Sequence, residues 1–378
     1  MEKSVPLLDL KLQYASLREE MQQSLNEVLE SQYFIGGPAI AELEKIIASY
    51  CNVDCAIGMS SGTDALIAAL LALDITRSPC SNAPAPEVIV PTFTFFASAG
   101  SVWRSGARPV FADIDENTFN VSVESIESKI TENTKAIMPV HLYGQCADME
   151  SIMALAKKYN LSVIEDACQS IGAQRNGKKA GTFGDAGCFS FFPTKNLGGI
   201  GDGGMGICSD KALGDKMRQV RNHGMEPRYY HKFVGGNFRL DTIQAASLII
   251  KTKHLEKWHS MRQKNAEFYL NALKNVSEIL LPKTDKGNVH IYNQFVVRVP
   301  KRNECISFLK ERGITCEIYY PMPLHMQECF APLGYKQGDF PVSEKIAQDC
   351  MALPIFPELN EGQLEYVANS IKDFLAKC

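Results

Sequence analysis

Between Cys55 and Ser209, short apolar runs of β character alternate with stretches of helical period. The runs are Glu87-Val88-Ile89-Val90, Ala136 to Val140, Ser162 to Ile164 and Cys188 to Phe192; the helical stretches include Asp64–Leu73 and Met149–Tyr159. Strands alternating with helices predict an α/β fold: a mainly parallel sheet flanked by helices, with ligands gathered beyond the carboxyl ends of the strands. The period turns helical again from Asp241 to Arg262, and a smaller unit follows. There the pattern predicts strands over His290–Val299 and Ile314–Tyr319 and helices over Asn303–Arg312 and Glu361–Lys377. The expected division is a large domain with its N-terminal segment over residues 1–245 and a small C-terminal α/β domain over 246–378. Arg77 to Pro86, rich in Pro, Ser, Ala and Asn, has no period and is expected as a surface loop.

Composition narrows the classes. The chain has 378 residues, 45% hydrophobic and 22% charged, which suits packed domains and leaves little room for long disordered tracts. A net charge of -4, with Lys and Arg scattered, offers no basic stripe, so no nucleic-acid partner is expected. The longest apolar run, Ala65 to Leu73, is too short to span a bilayer, and Met1 to Leu10 lacks a secretory pattern. The expectation is a cytoplasmic protein with no membrane association. Twelve cysteines are spread along the chain; Cys51 and Cys55 form the one close pair, and without a second Cys or His pair they read as small buried hydrophobes rather than metal ligands.

Four segments compete for the chemistry. Gly199-Ile200-Gly201-Asp202-Gly203-Gly204 spells a dinucleotide fingerprint, but a β-like Met205 to Cys208 follows it where a helix is required. Gly58-Met59-Ser60-Ser61-Gly62 matches the nucleophile elbow of serine hydrolases, with Ser60 as nucleophile, and its strand-turn-helix context fits. The same turn also reads as a phosphate cup at a helix N-terminus or as simple capping by Ser61 and Thr63. Glu165-Asp166 ends an apolar strand, where a desolvated carboxylate needs a partner such as a pyridinium nitrogen. Phe189 to Asn196 carries Lys195 just past an apolar strand into a glycine-rich loop, and a lysine in a partly apolar site can lose its proton and condense with an aldehyde.

Ser60 to Leu66, Pro139-Val140-His141-Leu142-Tyr143-Gly144-Gln145, Val163 to Ala167, Pro193 to Gly198 and Tyr320-Pro321-Met322-Pro323-Leu324-His325 resemble the DegT/DnrJ/EryC1/StrS sugar aminotransferases. The likeness runs from Leu8-Asp9-Leu10 nearly to the C-terminus. It implies the aspartate-aminotransferase-like fold (fold type I) and pyridoxal 5'-phosphate as cofactor. It further implies that Lys195 binds the cofactor covalently and shuttles a proton, that Asp166 keeps the pyridine nitrogen protonated, and that Phe95 stacks on the ring, with Gln169 near its hydroxyl. Gly62, Thr63, Asp64 and Ser190 would hold the phosphate, joined by Asn237 from the partner subunit of a homodimer with shared sites. Arg239, Tyr319 and Tyr320 match positions near a nucleotide sugar.

The segment Arg228 to Asp241 looks most like relatives that aminate C3 of UDP-linked 3-keto sugars. The implied reaction passes an amino group from L-glutamate to UDP-3-keto-N-acetylglucosamine, for bacterial surface polysaccharide or lipid A. Tyr319-Tyr320 stands where enzymes of the uronate branch often have His-Tyr, which disfavours the 3-keto uronic acid. That acid and a 4-keto deoxysugar are the runners-up, and a cofactor-binding regulator is the reading from a different class.

Overall fold

In the computed structural model, which describes residues 4–77 and 83–377, helices α1 (Leu10–Ser31) and α2 (Pro38–Cys51) precede β1 (Cys55–Met59), α3 (Gly62–Ala72), β2 (Glu87–Pro91), α4 (Ala97–Arg104) and β3 (Arg108–Ala112). Next come α5 (Val123–Ser128), β4 (Thr134–Ile137), α6 (Met149–Tyr159), β5 (Ser162–Asp166), the short β6 (Gln174–Arg175) and β7 (Lys178–Lys179), β8 (Ala186–Ser190) and β9 (Gly204–Cys208). Helices α7 (Lys211–Arg221), α8 (Thr242–Thr252) and α9 (Leu255–Leu273) lead to β10 (Asn288–Val289), β11 (Phe295–Arg298), α10 (Arg302–Glu311), α11 (Pro341–Asp349), β12 (Cys350–Leu353) and α12 (Glu361–Leu375). Part of the expected loop, residues 78–82, lies outside the described residues.

Seven strands form the main sheet in the order β1-β9-β8-β5-β4-β2-β3, with β9 alone antiparallel to its neighbours. Its strands are continuously apolar because helices cover both faces, so β1 and β9 are buried at every position. The non-sequential order puts β8 and β5, consecutive in space, at the middle of the sheet. Their carboxyl ends carry Ser190 and Asp166. Helix α3 starts at once beyond β1 because Ser61 is extended and its side chain accepts the Asp64 N–H, as an N-cap must.

The region expected to be helical from Asp241 is two helices, and the expected division at 245/246 lies inside α8, which packs on α1 and α2. Helix α9 reaches across: Leu255 joins the core beneath β8 and β9, while Ala266, Tyr269 and Leu273 join Phe295, Val297 and Val367 in the core of the smaller lobe. Val5 belongs to that second core too. The strand expected over Ile314–Tyr319 does not form; its backbone touches neighbours only at single bridges, Ile314 to Val5 and Glu317 to Ala352. The expected strand over His290–Val299 is broken at Tyr292, whose φ of 47° is left-handed, leaving β10 and β11 on different sheets. Among the described residues no helix is long and apolar enough to cross a membrane.

Candidate active site

Two consecutive carboxylates end β5, and strand alternation sends them to opposite sides. Glu165 is wholly buried and accepts hydrogen bonds from the N–H groups of Gly181 (2.8 Å), Phe183 (2.5 Å) and Gly184 (2.7 Å). It also pairs with His141 Nε2 at 2.7 Å. The Ala147 N–H donates to His141 Nδ1 at 3.1 Å, so the ring hydrogen sits on Nε2 and is donated to Glu165. Asp166 faces the other way. Its carboxylate accepts the Ser98 hydroxyl at 2.6 Å and the Cys168 N–H at 3.2 Å, and retains lone pairs for a further donor.

Beyond β8 the chain folds back, with Lys195 N–H donating to Phe192 O (2.9 Å) and Gly199 N–H to Phe191 O (2.7 Å). This turn brings the Lys195 amine within the electrostatic reach of Cys168 and Asp166. Burial pushes its pKa below that of an ordinary lysine, against the opposing pull of those two groups. A lysine so placed has more neutral, nucleophilic amine at neutral pH than a solvated one.

The cup is built by close approach. A Cβ on Gly62 would lie 2.7 Å from Cys168 Sγ and 2.8 Å from Ser190 Cβ, and one on Gly204 would lie 2.3 Å from the Ser61 carbonyl carbon. Glycine at both positions lets the end of β8 and the start of β9 touch the N-terminus of α3. Gly62 and Thr63 open that helix, where the N–H groups have no carbonyl four residues back and favour an anion. Asp64 is already engaged: its N–H goes to Ser61 Oγ (3.0 Å) and its carboxylate accepts the Ser60 hydroxyl (2.7 Å). Among the described residues no histidine bonds to Ser60, so a hydrolase triad is not assembled there.

Phe95 stands 57% exposed, its ring centroid 6.2 Å from that of Tyr320. Gln169 accepts the Tyr143 N–H (2.7 Å) and donates to the Tyr320 hydroxyl (3.1 Å), tying the smaller lobe to the sheet. The Tyr143 hydroxyl donates to the Tyr319 carbonyl. Arg239 is bridged to Met59 through the backbone; its Nη1 donates to Asn222 (3.2 Å), and its Nε is buried with no partner among the described residues. Asn237 is exposed on the same segment. The residues singled out in the sequence thus fall into a central group around Asp166 and Lys195 and a peripheral pair, Asn237 and Arg239. Ser98 and Cys168 are additions. Both lie close to residues already singled out, three after Phe95 and two after Asp166.

Pyridoxal phosphate needs an amine for its aldehyde, a carboxylate for its ring nitrogen and donors for its phosphate. Lys195, Asp166 and the cup of Gly62, Thr63 and Ser190 fit those needs, with Gly62 letting the α3 N-terminus pack against Cys168 and Ser190. Set on this sheet, such a site defines the class: a fold-type I aminotransferase dependent on pyridoxal phosphate. The profile of the DegT/DnrJ/EryC1/StrS aminotransferase family matches residues 15–372, and the chain belongs to that family.

Among its relatives is a "Pleiotropic regulatory protein" of Geobacillus stearothermophilus, 48% identical and covering 98% of both chains. Another, from Acidithiobacillus ferrooxidans, is a UDP-N-acetyl-3-dehydro-alpha-D-glucosamine 3-aminotransferase, 43% identical over 98% of this chain and 97% of that one. The crystal structure of DesV from S. venezuelae in complex with a ketimine intermediate superposes with a TM-score of 0.94, at 38% identity and 98% coverage of each chain.

Lys195→Ala should lower turnover by about 10²–10⁴-fold or more, the size of a lost proton carrier, with the fold intact by circular dichroism. Asp166→Asn should still take up cofactor yet turn over far more slowly, because a neutral amide cannot hold a pyridinium charge. Near-normal rates in both variants would remove these two side chains from the chemistry.

Proposed function

We propose that the protein transfers an amino group from L-glutamate to the keto group of a nucleotide-linked sugar, with C3 of UDP-3-keto-N-acetylglucosamine as the favoured acceptor. The observation that carries the reading is the Lys195 amine, its pKa lowered by burial, within electrostatic reach of Asp166, with the α3 cup packed on Cys168 and Ser190 at the same strand ends, since this is the minimum for amino transfer. The sugar rests on the relative that acts on a UDP-linked 3-keto sugar and on the Arg228–Asp241 segment. The 3-keto uronate and a 4-keto deoxysugar are its rivals.

When bound, pyridoxal phosphate supplies an electron sink for the charge that develops at the substrate carbon. Asp166, its carboxylate held by Ser98 and the Cys168 N–H, would meet the ring nitrogen. Lys195 Nζ takes up the proton released at the donor's α-carbon and delivers one to the sugar carbon that receives nitrogen. Gly62, Thr63 and Ser190 would hold the phosphate, while Ser61 and Ser60 fix the turn through Asp64. Phe95 would stack on the ring, and Gln169 fixes Tyr320 beside Phe95 through its hydroxyl. The Arg239 guanidinium, held by Asn222, supplies a positive charge that suits an anionic group of the nucleotide sugar.

The active unit in this reading is a homodimer in which Asn237 and Arg239 complete the neighbour's site; the exposure of Asn237 supports it. A panel of nucleotide amino sugars, each run in reverse as a half-reaction, should convert the cofactor fastest with the UDP-linked 3-amino sugar. Fastest conversion by a 4-amino deoxysugar would overturn the C3 assignment. For the dimer, Lys195→Ala and Asn237→Ala/Arg239→Ala chains should each be nearly inactive alone. Refolded together, they should regain activity, because one site of each mixed dimer is wild type. Tag-purified mixed dimers that stay inactive would show that each chain completes its own site.

A further inference from the structure

Three serines are buried on α4 or just past its end, and two of them behave as helical serines usually do. Ser101 Oγ donates to the Ser98 carbonyl (2.9 Å) and Ser105 Oγ to the Val102 carbonyl (2.8 Å), each three residues back. Ser98 does not. Its hydroxyl leaves the helix and donates to Asp166 Oδ2 at 2.6 Å, on a strand 68 residues further along the chain.

A hydroxyl has one proton, and Ser98 spends it on the carboxylate. The contact between Thr94 Oγ1 and Ser98 Oγ, 3.2 Å, is therefore a bond that Thr94 donates. Thr94 is buried as well, so the groups form an enclosed chain, Thr94 to Ser98 to Asp166, in which each donor polarises the next. The other carboxylate oxygen, Oδ1, accepts the Cys168 N–H at 3.2 Å. Without Ser98 the carboxylate keeps this one backbone donor, at the longer distance. Phe95 lies on the same turn as Ser98, whose N–H donates to the Phe95 carbonyl at 3.3 Å. The ring face that would stack on the cofactor and the hydroxyl that holds the carboxylate are thus built into a single turn of backbone.

We propose that Thr94 and Ser98 are positioning residues, a buried hydroxyl chain that aims Asp166 at the cofactor's ring nitrogen and sets how firmly that nitrogen holds its proton. The inference rests on the amino-transfer reading and deepens it, by assigning the aim of the carboxylate to α4 and the residues that lead into it. Both hydroxyls act through Asp166, and neither touches the substrate.

The readout is the absorbance of the protein loaded with pyridoxal phosphate, titrated against pH with no amino donor present. A proton on the ring nitrogen repels the proton on the nitrogen shared by cofactor and Lys195, so a weaker hold on the first moves the midpoint of the second to higher pH. Burial pushes Cys168, Cys188 and Tyr320, which also act on or near Asp166, upward, so they stay neutral across this range. Ser98→Ala and Thr94→Val should raise the midpoint, and Ser98→Ala should weaken cofactor retention about tenfold or more, the size of a lost bond to a charged group. Thr94→Ser, which keeps the hydroxyl, and Ser101→Ala, which removes an equally buried hydroxyl from the same helix, should titrate as the parent does. Thr94→Val keeps the proposal testable if Ser98→Ala does not fold. A parent-like midpoint in Ser98→Ala or Thr94→Val, or a shift as large as theirs in Thr94→Ser or Ser101→Ala, overturns it. Failure of the amino-transfer reading shows separately, as a loaded parent protein whose cofactor no amino sugar converts, because the titration needs no turnover.

Discussion

The buried carboxylate of Glu165 is the constraint on which the rest of the site depends. With His141 and three backbone N–H groups around it, it fixes the end of β5 to the loop at residues 181–184 and to the chain after β4. A charge this deep is tolerated only because each lone pair has a donor, and removing one donor would leave the remainder uncompensated. Strand alternation does the rest: with Glu165 locked on one side, Asp166 must face the other.

The lysine loop is fixed in a comparable way from beneath. Gln244 accepts the Ile200 N–H at 2.9 Å, and the buried Lys251 donates to the Gly198 carbonyl at 2.6 Å. Desolvation draws Lys251 down to about 8, so the loop rests on a second lysine poorer in charge than a surface one. Lys195 lies within electrostatic reach of Asp166 and Cys168, and the glycines at 62 and 204 bring the α3 cup against Cys168 and the ends of β8 and β9. The site is therefore assembled by backbone approach and burial, with side-chain bonds such as Ser98 to Asp166 and Gln169 to Tyr320 fixing individual groups.

Much of this was legible in the chain. The strands at Glu87, Ser162 and Cys188 and the helices at Asp64 and Met149 appear within a residue or two of their expected limits, because continuous apolar runs and amphipathic periods have few alternatives. Asp166 and Lys195 were legible because each follows such a run. Ile314–Tyr319 misled because an apolar, β-branched segment needs a partner along its whole length, and only Val5 and Ala352 supply bridges. Nothing in the local pattern separated Glu165 from Asp166 or revealed that Ser98 reaches the latter, 68 residues away.

The central claim is that Lys195, and no other lysine, carries the cofactor. Lys251 is the natural rival, because it is buried and its pKa is also lowered. Borohydride reduction of the protein loaded with pyridoxal phosphate, followed by proteolysis and mass spectrometry, locates the modified side chain directly. The account predicts the cofactor on Lys195 alone; modification of Lys251 or of another lysine, with Lys195 untouched, would contradict it.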